Sequence, residues 1–492
     1  MKFQYRTEHR LLNAGYLLGC LCLLPWLFLY AQEIIWIRRF DRGIYDWSIG
    51  GVVDPDGDLI CVGAHTSSSP ESETLSVLIV KYNPEGETIW TRSFDSDAYS
   101  DDPTSVAVDH QGNIIIAANY TYDDTTYGAE LLKFDRNGNL LWVQRPVISD
   151  SGYPGFYLLS INERGEIFCG GDLDYLRIPP EPDVLLMKFT PDGELEWSRV
   201  YDCGGQFWEA INSFTIDRDG NIVCAGVIGD DYPVSDFLLV KFSQAGDTLW
   251  CRRLDLYQDE GATGVAGAQF GAIFVSGWAD DGNLHHPVLL RYSLTGELKW
   301  IRVYDWQWDA HYYDIALDSI GNLLLIGDCS NPPNGIGSSC MLVSYTPEGS
   351  YNWTQRYRLD LENAGFAIRL SGPNTAYLFG TCVDSLNNAD MFVIKLRLPS
   401  GIESPDYLNP LEPGIKTTLI SQGATVRLPV HRTADYLVTI YDLSGQARAI
   451  FDAGYLNVGE HTLRLPALPA GVYFLKAASA GFQARYRLVV VK

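Results

Sequence analysis

The chain has 492 residues, 46% of them hydrophobic and 20% charged, which suits two or three globular domains and excludes a disordered polymer. Its net charge of −25 excludes a nucleic-acid binder with a basic surface and favours cations or basic partners, although acidity also serves solubility alone. Aromatic residues at 13% and 46 glycines fit many short strands joined by tight turns.

Lys2, Arg6 and Arg10 precede an apolar run over 11–30, and Ala31 follows as a small residue, so 1–31 reads as an export signal. A retained anchor is the alternative, because about 20 apolar residues also span a bilayer. Leu17-Leu18-Gly19-Cys20 has the look of a lipoprotein cleavage box, but cleavage there leaves the apolar 21–30 on the mature chain. Removing 1–31 takes away three positive charges and one negative charge (Glu8), so −25 − 2 leaves −27.

From residue 32 onward repetition dominates. Tryptophans recur at Trp36, Trp90, Trp142, Trp197, Trp250, Trp300 and Trp353, at intervals of 50 to 55 residues. An arginine often follows two residues later, as at Arg38, Arg199 and Arg302. A turn glycine comes next, usually after an aspartate, as in Asp109-His110-Gln111-Gly112 and Asp217-Arg218-Asp219-Gly220. An apolar strand, a variable loop and a strand ending in lysine plus an aromatic follow, as at Lys81-Tyr82 and Lys241-Phe242. A four-residue turn ending in glycine leads to the next tryptophan.

Each unit therefore holds four strands, A to D, with the fourth unit expected at 210–217, 221–227, 237–243 and 247–254. Glycine in fourth place of both tight turns fits a type I turn closed by a residue of positive φ. Four strands at a period near 50 predict a β-propeller blade. Strands A, B and C occur seven times, but no tryptophan strand follows the last set. The chain instead begins with an unpartnered one at 34–40. The expectation is an all-β, seven-bladed propeller over 32–398 whose first strand closes the seventh blade and leaves no open edge. Later units are less regular: Ala268-Gln269-Phe270-Gly271 lacks the aspartate, and Arg291 and Ser344 replace the lysine.

The repeats over 36–397 resemble those of secreted bacterial β-propeller proteins. The lysine-aromatic, glycine and tryptophan text is similar to the tryptophan-docking text of quinoprotein dehydrogenases and their non-enzymatic propeller relatives. That resemblance implies that the seven tryptophans pack flat between blades, a structural role.

Repeat text stops near Leu398, and 399–405 is rich in Pro, Gly and Ser, as a linker is. The stretch 406–492 alternates apolar and polar residues, predicting an immunoglobulin-like β-sandwich with strands at 424–430, 436–443, 461–465, 472–477 and 485–491. Asn409-Pro410, Ile440-Tyr441-Asp442-Leu443-Ser444-Gly445, Leu468-Pro469-Ala470-Gly471-Val472-Tyr473-Phe474 and the terminal Lys492 resemble the C-terminal (Por) sorting domain of the type IX secretion system. The resemblance implies type IX machinery as a partner, outer-membrane passage, and release or display at the cell surface. A purely structural or adhesive sandwich is the alternative.

Of the ten cysteines, Cys20 and Cys22 lie in the export signal, and the rest show no metal-ligand spacing. Cys61, Cys169 and Cys224 hold one repeat position and read as small buried residues. Cys329 and Cys340 flank one loop and form a disulfide candidate.

The sequence holds no nucleophile elbow, HExxH, P-loop or dinucleotide fingerprint, so no catalytic residue and no cofactor are assigned. Calcium is an alternative reading of turns such as Asp54-Pro55-Asp56-Gly57-Asp58, but turn chemistry already favours aspartate and glycine there. His285-His286 in a B–C loop reads as a solvated pair.

The tight turns close one face of the ring, and the long D–A and B–C loops make the other, where function usually sits. The D–A loops gather candidate ligand-binding residues near the centre: Asp46, Trp47, Asp102, Trp208, Glu209, Glu260, Trp308 and Asp309. Aromatic faces beside carboxylates suit a sugar ring or a cationic group, whereas wedging aromatics and loop-capping acids would need no ligand. The expectation is a secreted or surface-displayed binding protein for a glycan, peptide or protein. A propeller enzyme (quinoprotein-like oxidoreductase, glycan hydrolase or lyase) and a structural surface protein are the alternatives.

Overall fold

The computed structural model describes residues 33–491 except 43–44, 67–74, 97, 124–125, 148–152, 175–182, 203–207, 230–233, 258, 268–270, 281, 283–284, 305–308, 331–336, 399–415, 422–424, 431–433, 443–446, 457–458, 466–467, 469–470 and 480–481. The expected export signal at 1–31 and the linker at 399–405 lie outside these residues. Among the described residues no helix is long and apolar enough to cross a membrane.

The fold is all-β. Five separate four-stranded antiparallel sheets repeat along the chain, each in sequence order. An eight-stranded sheet joins two further units, A to D at Tyr45–Val53, Leu59–Thr66, Ser76–Tyr82 and Thr88–Phe94, and A to C at Glu362–Leu370, Thr375–Val383 and Ala389–Arg397. The link is a single parallel bridge between Tyr45 and Ala389. The first strand, Glu33–Phe40, pairs antiparallel with Ala389–Arg397, with Glu33 opposite Arg397 and Phe40 opposite Met391. It supplies the fourth strand that the last unit lacks. The fourth unit runs Trp208–Ile216, Ile222–Gly229, Asp236–Phe242 and Thr248–Leu254, within two residues of expectation at each boundary.

Neighbouring sheets bury their apolar faces against each other. Leu324, Ile326 and Leu342 of the sixth unit pack with Leu378 and Ile394 of the last. Leu59, Cys61 and Leu78 of the first pack with Phe379 and Met391 of the last. The succession of cores therefore returns to its start, and the inner A strands lie against one another in the same order.

The tight turns explain the repeated text. Asp54 Oδ1 accepts the backbone N–H of Asp56 and of Asp58, and its Oδ2 takes Lys81 Nζ at 2.7 Å. Asp217 does the same with Asp219, Asn221 and Lys241. Burial pulls the Lys81 ammonium down, but Asp54 and Asp58 outweigh it and hold it above the usual lysine range. Both oxygens of these two aspartates are thus engaged by the turn and its lysine, which accounts for the aspartate and lysine of the repeated text.

Six of the seven repeated tryptophans lie against the C–D turn of the following unit. A Cβ on Gly86 would sit 3.0 Å from the Trp36 ring, and one on Gly349 would sit 3.0 Å from Trp300. Arg38 covers Trp36 and donates to the carbonyls of Gly86 and Glu85. Positive φ at Gly86 and Gly349 lets the turn come this close.

The expected Cys329–Cys340 disulfide is corrected: both thiols are free. Cys329 stands opposite Ser339 and Cys340 opposite Asp328, so they are one register step apart. Their side chains enter cores on opposite faces of the sheet. Cys61, Cys169 and Cys224 are buried and free, and burial raises their thiols.

At the C-terminal end, five strands form one sheet in the order Lys416–Ser421, Phe482–Val491, Gly471–Ser479, Ala434–Asp442, Ala447–Leu456. Thr425–Val430 and Gly459–Arg464 form a two-stranded sheet. Buried Val438, Ile440 and Leu475 come from the larger sheet and Leu463 from the smaller. The strands at 416–421 and 447–456 were not anticipated, since Lys, Thr, Ala and Gly blur the alternation there.

Candidate functional site

Every A strand begins near the loop face and carries one bulge, for instance between Ser48 and Gly50 and between Tyr312 and Asp314. The bulge register aligns the seven strands without reference to sequence. Two residues before its start stand Asp46, Asp101, Pro154, Glu209, Glu260, Ala310 and Asn363, and all seven are buried. The next residue and the extra bulge residue are mostly half-buried or exposed, and they face the middle of the ring.

In four of the seven units the buried position is a loop anchor. Asp46 accepts the Arg42 N–H at 2.6 Å, and its other oxygen lies 2.7 Å from His65 Nδ1. Asp101 takes the Ser96 N–H and hydroxyl. Glu260 takes the N–H groups of Leu256 and Tyr257, and Asn363 those of Leu359 and Asp360. Each side chain thus ties down the D–A loop that precedes its own strand, satisfying backbone donors that would otherwise be buried unpaired. Burial pushes Glu260 up to about 7, with Asp236 and Asp255 adding to the shift. Those three carboxylates form a group within 4.8 Å that could hold a cation. Glu260, however, is engaged by two N–H groups, and Asp236 by Arg253 Nε. Glu130, buried in the second unit beside Arg145, is likewise pushed up to about 7 by burial.

The candidate residues therefore divide. Asp46, Glu209 and Glu260 belong to the scaffold, with Glu209 fully buried at the anchor position. Trp208 packs over Gly229, where a Cβ would meet its Nε1 at 2.5 Å. Trp47, Asp102 and Asp309 remain accessible. Asp102 is solvent-exposed, and desolvation raises its carboxyl. Asp309 accepts the His285 N–H at 3.0 Å and stays half-exposed. Trp308 lies outside the described residues.

Around Trp47 the structure assembles an arc of rings from four units. Tyr45 stacks on Trp47 at 6.2 Å, and Trp47 meets Phe366 at 5.5 Å. Phe366 meets Tyr313 at 5.5 Å, and Tyr313 stacks on His311 at 6.2 Å. His311 lies 4.9 Å from His285, which packs edge-on to Trp278 at 5.3 Å. Trp47 and His311 occupy the residue after the anchor; Tyr313 and Phe366 are the extra bulge residues of their strands.

Carboxylates line this arc. Asp328 Oδ1 lies 3.4 Å from His311 Nδ1, and burial together with the nearby Asp328 carboxylate raises the Tyr313 phenol. Asp309 lies 3.6 Å from His285 Nδ1 and Asp280 4.0 Å from its Nε2. Such a surface offers ring faces for stacking and acceptors for hydroxyl or ammonium groups. Phe366, Tyr313, His311 and Trp278 were missed from sequence. The signal lay in the bulge position, which reads Tyr, Phe or Ile in some units and Thr or Asn in others. A separate cleft of about 400 Å³ on the outer side is lined by Phe94, Ser96, Val143 and Arg145.

No protein-family model matches the chain, and no curated protein does. Among solved structures, a protein of unknown function from Dyadobacter fermentans DSM 18053 is 10% identical, covers 75% of this chain and 99% of its own, and has a TM-score of 0.45. A puromycin hydrolase mutant is 13% identical, with 89% and 60% covered and a TM-score of 0.47; this chain spans less than two thirds of its length. An α-L-arabinanase from Penicillium chrysogenum, complexed with arabinobiose, is 11% identical, with 73% and 99% covered and a TM-score of 0.40.

Proposed function

We propose that the chain is a seven-bladed β-propeller that binds carbohydrate on its loop face. The observation that carries this is the arc from Trp47 to Trp278, a run of partly exposed rings bordered by carboxylates at the middle of the ring. Flat rings match the C–H faces of sugars, and Asp102, Asp309 and Asp280 offer acceptors for hydroxyls. On the same reading residues 1–31 direct export, and the C-terminal sheets form an immunoglobulin-like sandwich that the type IX machinery recognises, so that the propeller is released or displayed outside the cell.

The test is a glycan array followed by calorimetry with Trp47→Ala and Phe366→Ala. Each variant should lose at least tenfold in affinity while keeping its melting temperature within a few degrees. Retained binding in both would remove the arc from the site. A second reading, glycan cleavage, is favoured by one observation: a buried Asp328 oxygen lies 3.4 Å from His311 Nδ1 in the arc, a carboxylate–imidazole pair suited to moving a proton. Turnover of any array hit that His311→Ala abolishes would establish it.

A further inference from the structure

We infer that the sugar recognised at this arc carries a protonated amine rather than a carboxylate or sulfate; the inference rests on the carbohydrate reading above. Among the described residues, the charged groups paired with the arc's imidazoles are carboxylates: Asp280 and Asp309 at His285, and Asp328 at His311. Asp102 adds a fourth acid at the position equivalent to Trp47 in the neighbouring A strand. The arginines and lysines of the repeats are committed elsewhere. Lys81, Lys133 and Lys241 pair with turn aspartates, and Arg38, Arg92, Arg252 and Arg302 lie over the docking tryptophans.

An anionic sugar placed here would meet like charge in a partly desolvated setting, which weakens its binding. An ammonium gains twice. It pairs with the carboxylates, and it sits over ring faces whose quadrupole attracts cations. The net charge of −25 acts in the same direction at longer range, drawing a cationic polymer toward the surface.

The experiment is calorimetry of the full chain with three short oligomers, of glucosamine, of N-acetylglucosamine and of galacturonate. It is run at mildly acidic pH, where the sugar amine carries its proton. The glucosamine oligomer should bind about tenfold tighter than the acetylated one at about 50 mM salt, and the advantage should shrink to about twofold at about 500 mM. Galacturonate should bind weakest. Asp309→Asn keeps the acceptor for the His285 N–H, so it should fold normally and reduce the amine preference about threefold. Equal binding of all three, lost on Trp47→Ala, would overturn the amine inference and leave the carbohydrate reading standing. Tighter binding of galacturonate would overturn it likewise. Binding of none would overturn both.

Discussion

The junction between the sixth and seventh units is built differently from the others. Elsewhere a tryptophan meets the glycine of the next unit's C–D turn, and at four of those six junctions a lysine or arginine reaches across to a carbonyl of that turn. Lys133 donates to Pro191, Lys241 to Leu294, Arg291 to Pro347, and Lys395 to Pro84. The seventh unit takes its C strand from 389–397 and its D strand from 33–40, so no turn joins them. At the equivalent lysine position the sixth unit carries Ser344, which hydrogen-bonds Asn352 within its own sheet. Among the described residues no turn glycine lies against Trp353. The pairing of side chain and turn is therefore a unit of design: where the turn is missing, the long cation is missing too.

Removing the borrowed strand should break this comparison most severely. A chain beginning at about residue 42 loses Trp36, Arg38 and the full pairing with Ala389–Arg397. It should unfold without a single cooperative transition in calorimetry, because the last sheet is left with an open edge. Unchanged melting would mean that closure does not depend on this strand.

A smaller perturbation isolates one docked turn. Gly349→Val forces a branched side chain into positive φ, with its Cβ 2.9 Å from Arg302 Cγ and 3.0 Å from the Trp300 ring. It should cost about 3 kcal/mol by chemical denaturation. Gly372→Val shares the positive φ but meets nothing within 4 Å, so its cost should be only about 1 kcal/mol. Equal losses would show that backbone strain, not docking, sets the price.

The smallest effect concerns charge at the closing strand. Arg39 lies beside Asp360 and Asp390, and burial, with Asp41 adding to it, pushes Asp390 up to about 6 while Arg39 opposes the shift. A carboxyl raised on folding favours the folded state fully below its unfolded value near 4, and that contribution is lost as pH rises through about 6. Arg39→Gln should therefore cost about 1 kcal/mol at pH 7.5, where Asp390 is ionised, and less at pH 4.5. A pH-independent cost would assign Arg39 to packing alone.

Much of this architecture could be read from residue order, because a docked tryptophan and a positive-φ glycine each demand one residue type. Trp36 and Gly86 have few substitutes, and their period survived every loop change, whereas the position of Lys81 reads Arg291 and Ser344 in later units. The acids were harder to place. Asp46 and Asp102 look alike as letters beside aromatic loops, yet one is fully buried under loop N–H groups and the other is exposed. One residue of alternation decides between them, and that register depends on where each strand bulges. The ring contacts of the arc join units far apart in sequence, as between Trp47 and Phe366, so no local pattern announces them.

The pairing of Glu33 with Arg397 has a mechanical side. Because the two strands are antiparallel, the chain enters the ring and leaves it at the same end of one ladder. Tension between those two points would part the backbone hydrogen bonds in succession, as a zip opens, instead of loading them together in shear.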